Sequence, residues 1–344
     1  MQVGLVSLMD AAPFFVAADY GLFSKYGLKV TLNREVGWAT IREKLAYGEL
    51  DAVQALCPLP FAATLGIQSS RIPSVSGLLV SRGGNAIVLS GDLWKRGVRD
   101  GRTLRQDIVN SRYFRKYIFA TVYSCSTHAF LIRDWLTSAG IDVERDVQLV
   151  TLPPSQMCRN LAAGTIDGFC AGEPWPSLAI SQEIGWSPAT SVDICPGHPE
   201  KALMVKESFA EERSEEHLSL IAALVEACAF CDDPINREAV ARCISGRRRV
   251  NCSEDLLVDS LSPSFNYGMG RAEAKPDFVR FHSRDSNRPR KEDAHWILER
   301  MNPCGEAKGE SLEDLDLIAS LVYREDVYEM ALKRIEAKST TKVL

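Results

Sequence analysis

The sequence has no apolar run long enough to cross a membrane and no excess of positive charge. Its 344 residues include 40 Lys and Arg against 45 Asp and Glu, which gives a formal net charge of -5. A spanning helix needs about 18 or more apolar residues in succession, and a nucleic-acid-binding surface needs clustered basic side chains. We therefore expect no insertion into a membrane and no direct contact with a nucleic acid.

An export signal is also missing from the start of the sequence as given. Met1 is followed at once by residues 2–8, whose pattern is typical of a first β-strand. A signal peptide would instead show a basic segment, an apolar core and a small-residue cleavage site. This absence predicts a cytoplasmic location.

Motifs that carry catalysis or bind cofactors are absent as well. There is no Gly-x-Ser-x-Gly, no His-Glu-x-x-His, and no phosphate loop, since the glycine pair before Asn85 lacks the required spacing. Ten cysteines are scattered along the chain, which favours reduced, packed thiols over disulfides. Cys228 and Cys231 form a single Cys-x-x-Cys within a helical pattern, without a second pair at zinc spacing. We expect no catalytic residue, no metal site and no cofactor.

Strand-like and helix-like patterns alternate over the first two thirds of the chain. Short apolar runs, separated by amphipathic stretches, occupy residues 3–8, 28–32, 52–56, 74–80, 86–89, 117–121, 147–152 and 166–170. This alternation predicts an α/β fold with mostly parallel sheets covered by helices. The similar segments 48–52 and 164–168 indicate two related lobes, and the glycines at 83 and 84 are a candidate hinge.

The last third of the chain is mainly helical in pattern. Helices are predicted over residues 215–231, 234–245, 254–261, 291–301 and 312–337, and a surface loop over 262–289. We predict a first lobe from residues 1–88, a second lobe from 89–192, and a return to the first lobe with a helical C-terminal region over 193–344. Ligands of open α/β sheets bind beyond the carboxyl ends of the strands, so two facing lobes predict a cleft for one small ligand.

Short segments spread in order over residues 1–205 resemble one family of binding proteins. They are Gly4-Leu5-Val6 with Asp10-Ala11-Ala12-Pro13, Gly37-Trp38-Ala39-Thr40-Ile41-Arg42-Glu43-Lys44-Leu45, Pro58-Leu59-Pro60-Phe61, Gly84-Asn85-Ala86-Ile87, Ser126-Thr127-His128, Leu152-Pro153-Pro154-Ser155-Gln156-Met157, Asp167-Gly168-Phe169-Cys170-Ala171-Gly172-Glu173-Pro174-Trp175 and His198-Pro199-Glu200-Lys201. The chain thereby resembles the nitrate- and bicarbonate-binding proteins of ABC importers, and a related cytoplasmic nitrate sensor that restrains an RNA-binding antiterminator. The resemblance implies a periplasmic-binding-protein type II fold: two lobes, a ligand cleft and a helical C-terminal extension.

The resemblance also implies a binding site for a small anion, with nitrate or nitrite as first choice. Nitrate-binding members surround the anion with a tryptophan, an amide, a histidine and a lysine. The corresponding residues, together with two that would line the same pocket, are Trp38, Asn85, His128, Lys201, Pro154 and Glu173. The amide is usually glutamine in the importers, so asparagine here offers the same donor on a shorter side chain.

Elementary chemistry agrees with an anion site at these positions. Lys201 offers an ammonium group, Asn85 an amide N–H and Trp38 an indole N–H. His128 begins a predicted helix, so a ring N–H and the helix N-terminus could face the anion together. Glu173 would repel an anion unless it is paired, so we expect it to hold Lys201 or His128, or to chelate a metal in relatives that take bicarbonate.

Each of these residues also has an ordinary structural explanation. Trp38 and His128 could belong to the core, Lys201 could be a solvated lysine, and Asn85 could be a turn residue. Pro154 and Glu173 could belong to loops, with Glu173 next to a helix start.

Three functions remain open. The first is a cytoplasmic nitrate or nitrite sensor that controls an antiterminator-type regulatory protein through lobe closure. The alternative is the solute receptor of a nitrate or bicarbonate ABC importer. A second alternative is an enzyme of the thiamine-pyrimidine-synthesis type on the same fold, although its cysteine-rich signature near the cleft is not found. The missing export signal favours the sensor.

Overall fold

The computed structural model describes residues 1–111, 115–301 and 312–340. The strands are β1 (Gln2–Val6), β2 (Thr31–Glu35), β3 (Ala52–Leu56), β4 (Ser74–Val75), β5 (Leu79–Gly83), β6 (Asn85–Ser90), β7 (Tyr117–Thr121), β8 (Val147–Thr151), β9 (Gly168–Gly172), β10 (Gly185–Thr190), β11 (Pro199–Lys206), β12 (Ser264–Gly268), β13 (Arg271–Ala274) and β14 (Val279–Arg280). Strands β3 and β7 coincide with the apolar runs predicted at 52–56 and 117–121.

The helices surround these strands. They are α1 (Ala12–Asp19), α2 (Leu22–Lys25), α3 (Trp38–Ala46), α4 (Leu59–Leu65), α5 (Gly91–Lys95), α6 (Gly101–Ser111), α7 (Thr127–Ser138), α8 (Met157–Ala162), α9 (Trp175–Ser181), α10 (Ser191–Ile194), α11 (Glu207–Glu212), α12 (Ser214–Asp232), α13 (Arg237–Ser245), α14 (Glu254–Ser260), α15 (Lys291–Met301), α16 (Leu312–Val322) and α17 (Glu325–Thr340). Short 3-10 helices cover Met9–Ala11, Pro154–Gln156 and Pro234–Asn236. Among these described helices, none is long and apolar enough to cross a bilayer.

The first sheet, with the helices packed on it, is the first lobe. Its strand order is β14-β5-β11-β3-β1-β2, with β4 paired to β11. Strand β1 is parallel to β2 and β3, whereas β11 is antiparallel to β3, β4 and β5. The prediction of a mostly parallel sheet is wrong here, because β11 enters the centre of the sheet in the opposite direction when the chain returns from the second lobe.

The second sheet, with its helices, is the second lobe. Its order is β10-β6-β9-β7-β8. Strand β7 is parallel to β8 and β9, but β6 is antiparallel to β9 and β10. This sheet is also mixed, because β6, the strand that enters from the first lobe, runs opposite to both of its neighbours, β9 and β10. The boundaries predicted after residues 88 and 192 fall inside β6 and α10.

Gly83 and Gly84 carry the chain from the first lobe to the second. Both have a positive φ, +69° and +81°. The Gly83 N–H donates to the carbonyl of His198 at 3.2 Å, and the Gly84 N–H to that of Phe278 at 2.6 Å. A Cβ on Gly83 would lie 2.3 Å from the Phe278 carbonyl oxygen. Gly83 is therefore required for close backbone approach, while a hinge role stays a prediction.

We expect Gly83→Ala to lower the free energy of unfolding by about 2 kcal/mol, because alanine adds left-handed strain and a steric overlap. Gly97→Ala is the matched control: its φ is +94°, but a Cβ there meets nothing within 4 Å. Denaturant unfolding of both variants measures the difference. An equal loss in the two would mean that the overlap at Gly83 relaxes freely.

The segment 262–289 is not the surface loop that was predicted. Strands β12 and β13 form an antiparallel hairpin, and β14 joins the first sheet beside β5. Phe265 and Tyr267 alternate with exposed residues along β12 and are buried, so a two-residue period was present in a stretch too short to stand out. The buried amide of Asn287 donates to the carbonyls of Leu79 and Phe281.

The prediction of one continuous helix over 312–337 is wrong. The segment consists of two helices, α16 and α17, separated at Tyr323 and Arg324. The backbone of Ser76 pairs with this break: its N–H donates to the Val322 carbonyl at 2.8 Å and its carbonyl accepts from the Arg324 N–H at 2.9 Å. The tertiary pairing therefore replaces hydrogen bonds that a continuous helix would make.

One apolar cluster joins the two lobes. It contains Leu8 and Trp38 from the first lobe and Val122, Met157 and Trp175 from the second. These side chains are all at least nine-tenths buried. The lobes therefore meet over a packed surface, and polar groups at that surface are shielded from water.

All nine cysteines within the described residues are free thiols, and seven of them are buried. The predicted pair Cys228 and Cys231 lies in α12. Cys304 lies outside the described residues.

Candidate functional site

A cluster of buried polar side chains lies where the chain returns from the second lobe. Its centre is Glu200 and Lys201 on β11, both completely buried. Successive residues of a regular strand point to opposite faces, but the pairing of β11 with β5 shifts on both sides of Lys201. Such bulges re-aim side chains. As a result Lys201 Nζ lies 2.5 Å from Glu200 Oε1.

Lys201 is held by two carboxylates. Its Nζ lies 2.8 Å from Asp10 Oδ2 as well as close to Glu200, and 5.5 Å from the ring centre of Trp38. Burial alone lowers the pKa of Lys201, but attraction to Asp10 and Glu200 outweighs it, so the pKa lies above its ordinary value. Lys201 is therefore a permanent cation in this cluster.

Glu200 accepts hydrogen bonds from several donors of the site. Its Oε2 accepts from Asn85 Nδ2 at 2.6 Å, from the Thr127 hydroxyl, and lies 3.2 Å from His198 Nε2. Burial raises the pKa of Glu200, but the Lys201 ammonium and the hydrogen bond with His198 bring it well below the ordinary value. The start of α7 at Thr127 adds the positive end of a helix dipole. Glu200 is therefore an ionised internal anion.

Asp10 is the second carboxylate of the cluster. Its Oδ1 accepts from Gln54 Nε2 at 2.6 Å, and Gln54 Oε1 in turn accepts from the N–H of Val6 at 3.2 Å. Burial raises the pKa of Asp10 despite the opposing charge of Lys201. Strands β1 and β3 thus fix Asp10 against the ammonium group.

Trp38 and His128 bring buried nitrogen atoms that make no hydrogen bond to any described residue. Trp38 begins α3 and His128 lies in the first turn of α7. Within the part of the chain that the structure describes, Trp38 Nε1 and both ring nitrogens of His128 have no hydrogen-bond partner. Burial lowers the pKa of His128 to about 3 despite the nearby Glu200 carboxylate. The imidazole is therefore neutral, with one N–H to donate.

The structure brings together four of the six residues proposed from the sequence. Asn85 and Lys201 contact Glu200 directly and His128 Nε2 lies 3.5 Å from Glu200 Oε1, while Trp38 lies beside Lys201. None of the four is a solvated surface residue. Their presence in one buried cluster agrees with the proposed anion site, while their contact with a ligand remains a proposal.

The hydrogen-bond partners of Glu173 lie outside this cluster. Its carboxylate accepts from the hydroxyls of Ser177 at 3.0 Å and Ser260 at 3.1 Å. The expectation that it holds Lys201 or His128 is wrong, because Glu200 performs that role. Burial raises the pKa of Glu173 to about 7, and the two serine hydroxyls oppose this rise only in part.

Pro154 lies at the rim of the interlobe region. It lines a cavity of about 280 Å³ together with Arg34 and Val36 of the first lobe and Trp175 of the second. Arg34 donates to the carbonyls of Arg247 and Arg249, so its cationic group is held beside this rim. The rim is therefore lined by both lobes and carries one charged residue of each sign, Arg34 and Glu35.

Sequence reasoning missed Glu200, Asp10, Thr127, His198 and Gln54. The segments of all but Gln54 carry the family resemblance, but Glu173 was the one carboxylate assigned to the site. Adjacent residues such as Glu200 and Lys201 would also point to opposite faces of a regular strand. The only available signal was the placement of Glu200 between His198 and Lys201, two residues of types that pair with a carboxylate.

The two sheets and the double passage of the chain between the lobes define a two-lobed fold of the periplasmic-binding-protein type. The predicted periplasmic-binding-protein fold is confirmed by likeness to the periplasmic nitrate-binding protein NrtA from Synechocystis PCC 6803. The TM-score is 0.91 at 25% identity, over 97% of this chain and 88% of that one. The aliphatic sulphonate-binding protein SsuA from Escherichia coli shares the fold alone, with a TM-score of 0.64 at 14% identity.

Residues 1–245 match the NMT1-like family, and the chain belongs to it. It is 36% identical over 308 residues to the nitrate import ATP-binding protein NrtC from Synechocystis, covering 89% of this chain and 46% of that protein. It is 29% identical over 346 residues to the nitrate/nitrite binding protein NrtA from Synechococcus elongatus, covering 97% and 78%. The chain spans about half the length of the ATP-binding relatives. These matches place it within the nitrate- and bicarbonate-binding family predicted from the sequence.

Proposed function

We propose that this chain binds a small inorganic anion, nitrate or nitrite, between its lobes as the solute-binding component of an ABC importer, without catalysing a reaction. The observation that carries the proposal is the donor set around Lys201. A permanent cation, the neutral His128 ring and the Trp38 indole are all buried, and the two rings have nitrogen atoms without internal partners among the described residues. Buried polar groups are normally satisfied, so these atoms suit a ligand. The names of NrtA and its relatives support the choice of anion.

Nitrate fits such a donor set because it is planar, singly charged and only an acceptor. The indole N–H, the imidazole N–H and the ammonium can each donate to one of its oxygens. The N-terminal ends of α3 and α7, where Trp38 and His128 lie, add favourable partial charge. The packed interlobe surface would exclude water and strengthen each of these contacts.

Isothermal titration calorimetry with nitrate, nitrite, hydrogencarbonate and chloride tests the proposal. We expect saturable binding of nitrate or nitrite, and a loss of about tenfold in affinity, near 1.4 kcal/mol, in Trp38→Phe, which keeps the ring but removes the N–H. Trp186→Phe is the matched control, because its Nε1 is also buried without a partner in the described chain but lies in the core of the second lobe. If neither nitrate nor nitrite gives saturable heat, the chain does not bind them.

A second candidate is a sensor that works in the cytoplasm and reports the anion to a regulatory protein of the antiterminator type. The observation that favours an intracellular role is the 36% identity to part of ATP-binding import proteins, because ATP is consumed inside the cell. Co-purification with such a regulator, with and without nitrate, distinguishes the two candidates. Retention of the partner that does not change with nitrate would argue against a switch.

A further inference from the structure

Two carboxylates and one ammonium form the ion-paired centre of the binding cluster. Lys201 is its ammonium, and Asp10 and Glu200 both lie within ion-pair distance of it, at 2.8 and 2.5 Å. Two carboxylates therefore share one cation. All three side chains are more than nine-tenths buried, so water screens their charges weakly.

Other titratable groups face this pair from the surrounding elements. His128 approaches from α7, His198 from the segment before β11, Cys170 from β9 and Cys57 from the end of β3. His128 is neutral because burial lowers its pKa to about 3. Burial raises the pKa of both thiols, which are therefore neutral as well. The His128 ring and the two thiols therefore add no positive charge near neutral pH.

An anion held by Trp38, His128 and Lys201 would bring a further negative charge next to Asp10 and Glu200. Nitrate has no hydrogen to donate, so it cannot bond to a carboxylate. Like charges at such a site favour protonation of one of them. This inference rests on the proposed anion binding.

We propose that the anion enters the cluster together with one proton, which the Asp10–Glu200 carboxylate pair takes up from solvent. The proton forms an O–H bond on one carboxylate oxygen, and no other bond is made or broken. The new hydroxyl can donate to the anion, and the total charge of the cluster stays unchanged. The raised pKa of Asp10 agrees with a proton shared by this pair, which titrates as one unit.

Proton uptake makes anion affinity depend on pH in a defined direction. Where the free pair holds no proton, affinity should fall as pH rises, by up to about tenfold per pH unit. Nitrate itself does not titrate in this range. Asp10→Asn removes one carboxylate charge, so it should abolish the uptake and flatten the pH dependence.

Calorimetric titration with nitrate at about pH 8, in phosphate and in Tris, measures the proton directly, because the two buffers differ in ionisation enthalpy. We expect uptake of about one proton in the wild type and close to none in Asp10→Asn. Asp92→Asn is the matched control: its carboxylate is exposed and pairs with Lys95, and it should keep the wild-type uptake. The wild-type comparison remains decisive if Asp10→Asn does not fold.

The outcomes separate this inference from the proposed function. Saturable nitrate binding whose heat is independent of buffer and whose affinity is flat with pH would overturn the proton uptake alone. Equal uptake in wild type and Asp10→Asn would assign the proton to another group and overturn the assignment. No binding of nitrate or nitrite would overturn the proposed function and this inference with it.

Discussion

Replacing Lys201 with methionine should lower the free energy of unfolding by about 3–5 kcal/mol. Methionine preserves most of the side-chain volume but removes the charge that Asp10 and Glu200 share. Both carboxylates would then be buried without a cation, and removing one partner from a buried ion pair leaves the full cost of desolvating the other. Chemical denaturation monitored by circular dichroism measures the change.

A second substitution shows whether the loss comes from unpaired charge. In the Lys201→Met background, Glu200→Gln should recover part of the lost stability, because it removes one of the two stranded carboxylates. Lys95→Met is the control, since Lys95 is exposed and its ion pair with Asp92 lies on the surface; exposed pairs contribute little. A Lys201→Met protein as stable as the wild type would show that the cluster is open to water.

Glu173→Gln should stabilise the protein by about 3 kcal/mol at about pH 8 and change it little near pH 4.5. The folded-state pKa of Glu173 is raised from 4.5 to about 7, mainly by burial. Between these values the folded protein keeps the proton and the unfolded chain loses it, so stability falls as pH rises through this window. Above about pH 7 the folded protein carries the full free-energy cost of a buried, ionised Glu173, about 2.5 pKa units at 1.36 kcal/mol each. Glutamine stays neutral and avoids that cost.

Thermal and denaturant unfolding of wild type and Glu173→Gln from about pH 4.5 to 8 measures this difference. Glu144→Gln serves as the control, because the Glu144 side chain is largely exposed and its substitution should give no comparable pH trend. A Glu173→Gln effect that is constant over the range would show that the serine hydroxyls, and not burial, dominate the environment of Glu173.

The architecture was predictable wherever local periodicity and tertiary packing agree. Strands β3 and β7 are short apolar runs that end at turns, and α7 begins one residue before the helix start predicted at His128. The mixed direction of the sheets was not predictable, because pairing of β11 between β3 and β5 joins segments about 120–150 residues apart and leaves no local signature. The break at Arg324 likewise depends on a distant partner, the backbone of Ser76.

The binding cluster was predictable in its donors and not in its acceptors. Trp38, His128 and Lys201 follow from the resemblance and from the chemistry of anions, which favours N–H groups. Glu200 did not, because strand alternation separates it from Lys201, and only the bulge in β11 brings both into one cluster. Glu173 was expected to hold Lys201, and Glu200 does so instead. Sequence alone shows which acidic residues are near a motif, but not which of them contacts the lysine.

The hydrogen bond between Asn85 and Glu200 has a mechanical consequence. Asn85 directly follows the glycine passage out of the first lobe, and Glu200 directly follows the return. Their contact at 2.6 Å therefore ties together the two connections about which the lobes would rotate. A ligand bound here would lie close to the axis of that rotation. A large movement of the rim around Arg34 and Pro154 would therefore displace the ligand contacts little. The binding contacts would then persist when the lobes open partly. A small movement at the site would correspond to a larger movement at the rim.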